Sequence, residues 1–580
     1  MKSRVYLIAL FVLVHICAVA QSWQHKVDTS VLQATEAGKT TEMLVVMKVQ
    51  ADLTATSATA SKMEKANYVY QQLKATQEQS QKHLLAELER KNVLHQPLYI
   101  VNLIWVVGDY NLLEQLAQSE EVARIAANPV VQMSMPTAND QDNTPQSRNA
   151  IEWGILKISA NEVWDLGYTG QGAVVGGQDT GYDWMHPALS QKYRGNINNT
   201  IDHNYNWHDA IRAIHFLNVP NSQNPCGLDI KVPCDDNNHG THTMGTIVGS
   251  TMDNQIGVAP DAQWIGCRNM ERGWGTPFTY LECFQWFLAP TNSNNQNPNP
   301  SKAPHVINNS WGCPSEEGCT TTNFELLEAA VNNLKTSGVV VVVSAGNSGR
   351  NCATVNTPSA IFENSFSVGA SQITDSIANF SSRGPVLVDN SRRTKPNVVA
   401  PGVSVRSAIR GTGYSNFSGT SMAGPHVAGA VALMISANPD LAGQVETIET
   451  ILEETAIPFQ TSENCGTARD VFPNNVYGYG RIDALAAVKR AVALKKQLVN
   501  DKNTNFKIVP NPFSTQVEFV ADEAAVRQLR LFNTAGSLLL LVNWNDAQLS
   551  LDLSAYPNGV YWYEIVEENV IARGKLLKIE

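Results

Sequence analysis

At 580 residues the chain exceeds what one hydrophobic core can organise, so two to four domains are expected. Its formal net charge of −11 at pH 7, with no run of lysine or arginine, argues against nucleic acid and anionic membranes as partners and for protein or peptide. Met1-Lys2-Ser3-Arg4 precedes an apolar run over 5–20 that ends Ala18-Val19-Ala20, the pattern of a secretory signal cut after Ala20. No other stretch reaches 18 apolar residues, so no membrane span is expected in the mature form. Removing residues 1–20 takes Cys17 away and leaves Cys226, Cys234, Cys267, Cys283, Cys313, Cys319, Cys352 and Cys465, an even set that favours disulfides in an exported chain. By proximity, Cys226 is expected to pair with Cys234 and Cys313 with Cys319. No tight Cys-x-x-Cys pair with partner histidines supports zinc.

Residues 21–149 read as a small separate domain: a strand over 42–49, a long helix over 59–91, a strand over 98–107, a helix over 110–119 and a strand over 122–125. The apolar run Val130-Val131-Gln132-Met133 follows, and then a polar, exposed stretch over 137–148. Beyond residue 150, apolar strand runs over 173–177, 264–267, 305–308, 338–344 and 365–369 alternate with helical stretches, which predicts a parallel sheet covered on both faces. The residues over 422–437 are apolar on every side, as in a core helix, and Ser421 stands at its N-terminus, where the helix dipole stabilises developing negative charge. Pro425 is expected in the first turn of that helix. After a charged helix end near 489–496 and a polar linker over 499–505, short strands and turns such as Tyr556-Pro557-Asn558-Gly559 predict a small β-sandwich.

The stretch Gly419-Thr420-Ser421-Met422-Ala423-Gly424-Pro425-His426-Val427 resembles the nucleophile motif of the subtilisin-like serine proteases. Asp179-Thr180-Gly181, Asn238-His239-Gly240-Thr241-His242, Asn308-Asn309-Ser310-Trp311-Gly312 and Ser344-Ala345-Gly346-Asn347 occur in the order and spacing of the bacillopeptidase F branch of that family. The resemblance implies an α/β fold: a subtilisin-like parallel sheet with helices on both faces, preceded by an α+β ferredoxin-like pro-domain and followed by the small sandwich. It implies residues 1–20 as signal peptide, 21–149 as pro-region, 150–498 as peptidase domain, 499–505 as linker and 506–580 as the last domain. It also implies that the pro-region inhibits its own enzyme with its tail in the substrate cleft, and that the segment over 137–148 is cut.

Acyl transfer by a serine needs a base, a group that orients it, and donors where the oxyanion forms. By resemblance Ser421 is the nucleophile, His239 the base, Asp179 the orienting acid and Asn347 the oxyanion donor. Ser310, Trp311, Gly312, Ser344, Ala345 and Gly346 line the cleft and pair with an extended peptide. Each catalytic candidate has a plainer role open to it: Ser421 and His239 as helix caps, Asp179 and Asn347 as turn residues. Asp183, His242 and His426 are expected to be structural. An esterase of the α/β-hydrolase type would show Gly-x-Ser-x-Gly and the order Ser, Asp, His, neither of which is present. A protease-like binding protein without chemistry is the rival from another class, and the presence of all four groups speaks against it. Gln178, before the aspartate, and Thr243-Met244, after the histidine motif, depart from the family pattern without removing a reacting atom. No cofactor is required for this chemistry, and acidic loops such as Asp235-Asp236 are candidates for structural calcium.

In the tail, Val509-Pro510-Asn511-Pro512-Phe513, Leu531-Phe532-Asn533-Thr534-Ala535-Gly536, Asn558-Gly559-Val560-Tyr561 and the ending Gly574-Lys575-Leu576-Leu577-Lys578-Ile579-Glu580 resemble the C-terminal sorting domains of the type IX secretion system. The implied partner is that machinery, and the implied location is extracellular or cell-surface attached.

Overall fold

A computed structural model of the chain describes residues 23–57, 60–133, 137–138, 150–214, 224–502, 506–533, 537–567 and 570–579. The signal read over 1–20, all but two residues of the stretch read over 137–148, and Thr534, Ala535, Gly536 and Glu580 of the tail motifs lie outside the described residues. The chain divides into two compact units, Met1–Val488 and Lys489–Glu580.

After a short helix over Thr29–Glu36, the first unit continues with β1 (Thr41–Met47), α1 (Lys62–Arg90), β2 (His95–Leu98), β3 (Leu103–Gly108), α2 (Tyr110–Gln118) and β4 (Val122–Ala127). Their sheet runs β2-β3-β1-β4 with every pairing antiparallel, the ferredoxin-like order. Helix α1 starts on a capping box, in which Ser61 accepts from the Glu64 N–H while the Glu64 carboxylate takes the Ser61 N–H. The stretch expected as one strand over 98–107 is a hairpin instead. Its turn residues Ile100, Val101 and Asn102 are buried, which a turn tolerates only when other groups answer its backbone. The Gln285 side-chain oxygen accepts the N–H groups of Tyr99 at 2.6 Å and Ile100 at 3.2 Å, and Asn333 donates to the Ile100 carbonyl at 2.7 Å. An apolar run gives no sign of such a turn, because its partners lie far away in the chain.

The larger sheet is built from β5 (Val174–Asp179), β6 (Trp207–Asp209), β7 (Gln263–Arg268), β8 (Val306–Asn309), β9 (Val340–Ser344), β10 (Phe366–Ser371) and β11 (Val398–Pro401). All seven strands are parallel, in the order β6-β7-β5-β8-β9-β10-β11. Strands β6 and β11 are short edge strands that the sequence pattern did not mark. Helices α3 (His239–Val248) and α6 (Thr420–Ala437) pack against each other and the sheet, as do α4 (Pro277–Leu288) and α5 (Thr321–Thr336). Helix α6 is long and apolar enough to cross a membrane, but 94% of it is buried, which makes it the core helix expected. Pro425 lies in its second turn rather than its first, because the helix begins at Thr420. The absent Pro425 N–H leaves the Ser421 carbonyl without its usual intrahelical donor.

Four disulfides join the eight cysteines. Cys226–Cys234 and Cys313–Cys319 are the expected pairs; Cys267–Cys283 ties β7 to α4, and Cys352–Cys465 spans 113 residues.

A helix, α7 (Ala484–Lys502), crosses the boundary between the units, so residues 499–502 of the stretch read as linker are helical. The second unit continues with β12 (Phe506–Val509), β13 (Gln516–Ala521), β14 (Arg527–Phe532), β15 (Leu538–Trp544), β16 (Gln548–Asp552), β17 (Gly559–Glu567) and β18 (Val570–Lys578). Two antiparallel sheets, β12-β13-β16 and β15-β14-β17-β18, enclose a core that includes Val517, Phe519, Leu529, Leu531 and Ile565. Buried and less buried residues alternate along β13 and β14, as a sandwich requires.

Candidate active site

Parallel strands bring their carboxyl ends to one edge, and the candidate residues gather there. Asp179 is the last residue of β5 and is 1% exposed. His239 is the first residue of α3, and its Nδ1 lies 2.7 and 2.9 Å from the two Asp179 oxygens. The contact requires the helix start to lie directly on the loop after β5. Gly240 permits this, since a Cβ there would stand 2.0 Å from the Gly181 carbonyl oxygen.

Asp235 locks the arrangement from behind. Its Oδ1 accepts the Thr180 hydroxyl and the N–H groups of Asn237 and Asn238; its Oδ2 accepts the N–H and hydroxyl of Thr241. One buried carboxylate therefore ties the loop carrying Asp179 to the start of the helix carrying His239. Asn238, the N-cap, sits at φ 95°, a left-handed conformation that asparagine tolerates and that turns His239 back onto Asp179. Neighbouring Asp236 is raised to about 8 by burial, is held by Arg268 and receives the Arg272 N–H. Both members of the pair considered for calcium are thus engaged with protein donors. Among the described residues no group of three or more His, Cys, Asp or Glu side chains is arranged to hold a metal ion.

His239 Nε2 is buried and has no hydrogen-bond partner. Ser421 is the second residue of α6, inside the helix rather than capping it; the cap is Gly419, whose N–H bonds the Gly402 carbonyl just beyond β11. The helices of His239 and Ser421 are tied together through His242, one turn on from His239. Its Nε2 lies 3.0 Å from the carbonyls of both Val405 and Ser415, in the hairpin that leads into α6, and its ring stacks on Phe417. Burial pulls His242 down to about 3, which keeps it neutral. His426 is likewise pulled down to about 4 and donates from Nδ1 to the Met422 carbonyl. Asp183 accepts the N–H groups of Met185 and Gly411. All three serve the framework.

Asn347 follows β9 by three residues. Its side-chain oxygen accepts both the N–H and the hydroxyl of Thr420 at 2.9 Å, which commits the oxygen and leaves Nδ2 as the amide's donor. Ser310, Trp311 and Gly312 follow β8, Ser344 ends β9 and Ala345 and Gly346 follow it; the Ser344 and Ser310 hydroxyls bond at 3.2 Å. Gln178, the departure before Asp179, is buried in an amide chain that runs from Asn269 through Gln178 to Asn309 and on to the Val342 carbonyl. A polar residue is tolerated there because its amide is bonded at both ends.

Two stretches of the region before residue 150 pair with the peptidase part. Val131–Gln132 runs antiparallel to Trp274–Gly275, and the Met133 N–H bonds the Gly273 carbonyl at 2.8 Å. Thr137–Ala138 runs antiparallel to Ser418 and Phe417, just before Ser421. The sequence reading expects peptide pairing at Ser310–Gly312 and Ser344–Gly346 and does not mark Gly273, Trp274 and Gly275, with which the segment over 131–133 pairs.

The subtilase family model matches residues 170–480, more than half of the chain. The chain belongs to the subtilase family. The subtilase is 34% identical to bacillopeptidase F of Bacillus subtilis (strain 168) over 502 residues, which cover 81% of this chain and 33% of that protein. It therefore spans about a third of that relative's length. It is 31% identical to subtilisin Savinase of Lederbergia lenta over 59% of this chain and 99% of that protein, and 32% identical to subtilisin E of Bacillus subtilis (strain 168) over 50% and 62%. Residues 507–579 of the subtilase match the secretion system C-terminal sorting domain, in agreement with the resemblance of its tail.

Proposed function

We propose that this subtilase is a secreted serine endopeptidase that hydrolyses peptide bonds through an acyl-enzyme. The observation that carries the proposal is the buried Asp179–His239 pair, with Nδ1 held by the carboxylate and Nε2 left as a buried acceptor. In the reaction Ser421 Oγ attacks the scissile carbonyl carbon while its proton passes to His239 Nε2. Asp179 holds the tautomer with hydrogen on Nδ1 and stabilises the imidazolium that forms. The Asn347 Nδ2 donors face the developing oxyanion, and its collapse expels the amine, which takes the proton from His239. Water then repeats the sequence on the acyl-enzyme and releases the acid.

The same reading takes the region before residue 150 as an inhibitory pro-region, supported by its ferredoxin-like order and by the antiparallel seating of Val131–Gln132 and Thr137–Ala138. Ser421 performs the cut that frees the enzyme. The sorting domain directs export through the type IX route to the medium or the cell surface, supported by the match over 507–579. The test is a serine-directed fluorophosphonate probe followed by mapping of the adduct. Label on Ser421, lost in Ser421→Ala together with peptide hydrolysis and maturation, is the expected result; label elsewhere refutes the assignment.

A further inference from the structure

The segment over 131–133 shows how the cleft grips a main chain, and one gripping group is a side chain rather than backbone. In an antiparallel pair, alternate residues point their N–H groups toward and away from the partner strand. Met133 points toward Gly273 and bonds it, so Gln132 points the other way. A third strand would normally answer it there. Here the acceptor is the Glu317 carboxylate, whose Oε2 lies 3.0 Å from the Gln132 nitrogen. The side chains alternate accordingly: Val131 and Met133 are 0% and 3% exposed, within the apolar cluster that includes Phe278, Tyr280 and Trp311, while Gln132 is exposed.

Glu317 is carried on a constrained backbone. It lies in the loop closed by the Cys313–Cys319 disulfide, directly after the expected cleft residues Ser310–Gly312. Its N–H bonds the Pro314 carbonyl, and the turn that ends the loop places Gly318 at φ 97°, where other residues are strained. A carboxylate carried on a constrained loop costs less ordering entropy on binding than one on a free loop.

We propose that Glu317 is a substrate-binding residue of the peptidase, accepting the main-chain N–H of an extended peptide at the position Gln132 occupies. This rests on the serine endopeptidase reading and names its substrate class. The enzyme takes chains that continue upstream of the cut bond at least as far as that N–H, with apolar side chains at the two flanking positions and tolerance at the position between. A proline there lacks the N–H and is disfavoured.

The test uses enzyme matured from the full chain and two synthetic peptides with the sequence of residues 127–141, one unmodified and one N-methylated at the position of Gln132. With wild-type enzyme, N-methylation lowers kcat/KM about tenfold, mainly through KM, the size expected for one hydrogen bond to a charged group. Glu317→Ala lowers kcat/KM on the unmodified peptide by a similar factor, with no further loss on the methylated one, and Glu317→Gln, which keeps an acceptor oxygen, recovers most of the loss. Equal turnover of the two peptides by wild type, or an equal further loss on both in Glu317→Ala, overturns the assignment while leaving the peptidase reading intact. Wild-type enzyme that cleaves neither peptide and takes no fluorophosphonate label overturns both.

Discussion

At the scale of single residues, the site depends on groups that never touch a substrate. Thr420 spends its N–H and hydroxyl on the Asn347 side-chain oxygen and accepts the Gly346 N–H at 3.3 Å. Thr420→Val is therefore expected to let the Asn347 amide rotate, lowering kcat about tenfold with little change in KM, while Thr420→Ser stays near wild type. Steady-state kinetics on one peptide decides it. His426 gives a prediction about pH. Its folded value is depressed to about 4 and the unfolded value is about 6.5, so above pH 6.5 both states are neutral and nothing is lost. As pH falls below that, the unfolded chain takes up a proton that the folded chain refuses, at a cost of about 1.4 kcal/mol per pH unit down to the folded value. In a Ser421→Ala background, His426→Gln is expected to flatten the fall of melting temperature between pH 7 and pH 4.5. A parallel fall in both proteins would show that His426 is not part of the acid sensitivity.

At the scale of elements, the region over 28–133 meets the peptidase part through helices α4 and α5. Trp105 stacks on Phe278 at 5.0 Å, Asn323 donates to the Ala127 carbonyl at 2.8 Å, and Arg124 pairs with Glu325. The exposed Arg124–Glu325 pair contributes little, whereas Gln285 satisfies two N–H groups in a buried turn. Gln285→Ala leaves both without an acceptor; on the proposed maturation, the N-terminal fragment is expected to separate from the enzyme on gel filtration at roughly tenfold higher concentration than in wild type. What the sequence disclosed at this scale follows from distance along the chain. The long helix, the core helix and five strands of the large sheet announced themselves because their patterns are local. The turn over 99–102, the edge strands β6 and β11, and the Glu317 contact did not, since each is defined by partners up to 233 residues away. The candidate residues were legible for the same reason: Asp179, His239 and Ser421 each sit in a short motif, and only the Asp179–His239 contact required the fold.

At the scale of the whole molecule, residues 489–580 have their own core and none of the candidate catalytic groups. Deleting that unit is expected to leave kcat/KM of the purified enzyme within about twofold of the full chain while abolishing its appearance in the medium. Undiminished secretion would separate the tail from export. The Cys352–Cys465 bond has a consequence of another kind. It joins cysteines 113 positions apart into a covalent ring that contains Ser421, while Asp179, His239 and Asn347 stand outside it. A protease at high concentration meets copies of itself, and its exposed loops are the first to be nicked. A nick anywhere inside the ring opens a loop without releasing a fragment, so the nucleophile stays tethered to the other half of its own site. Aged enzyme should then run as one band on a gel without reductant and as several with it, and the nicked species should keep working until the disulfide is reduced.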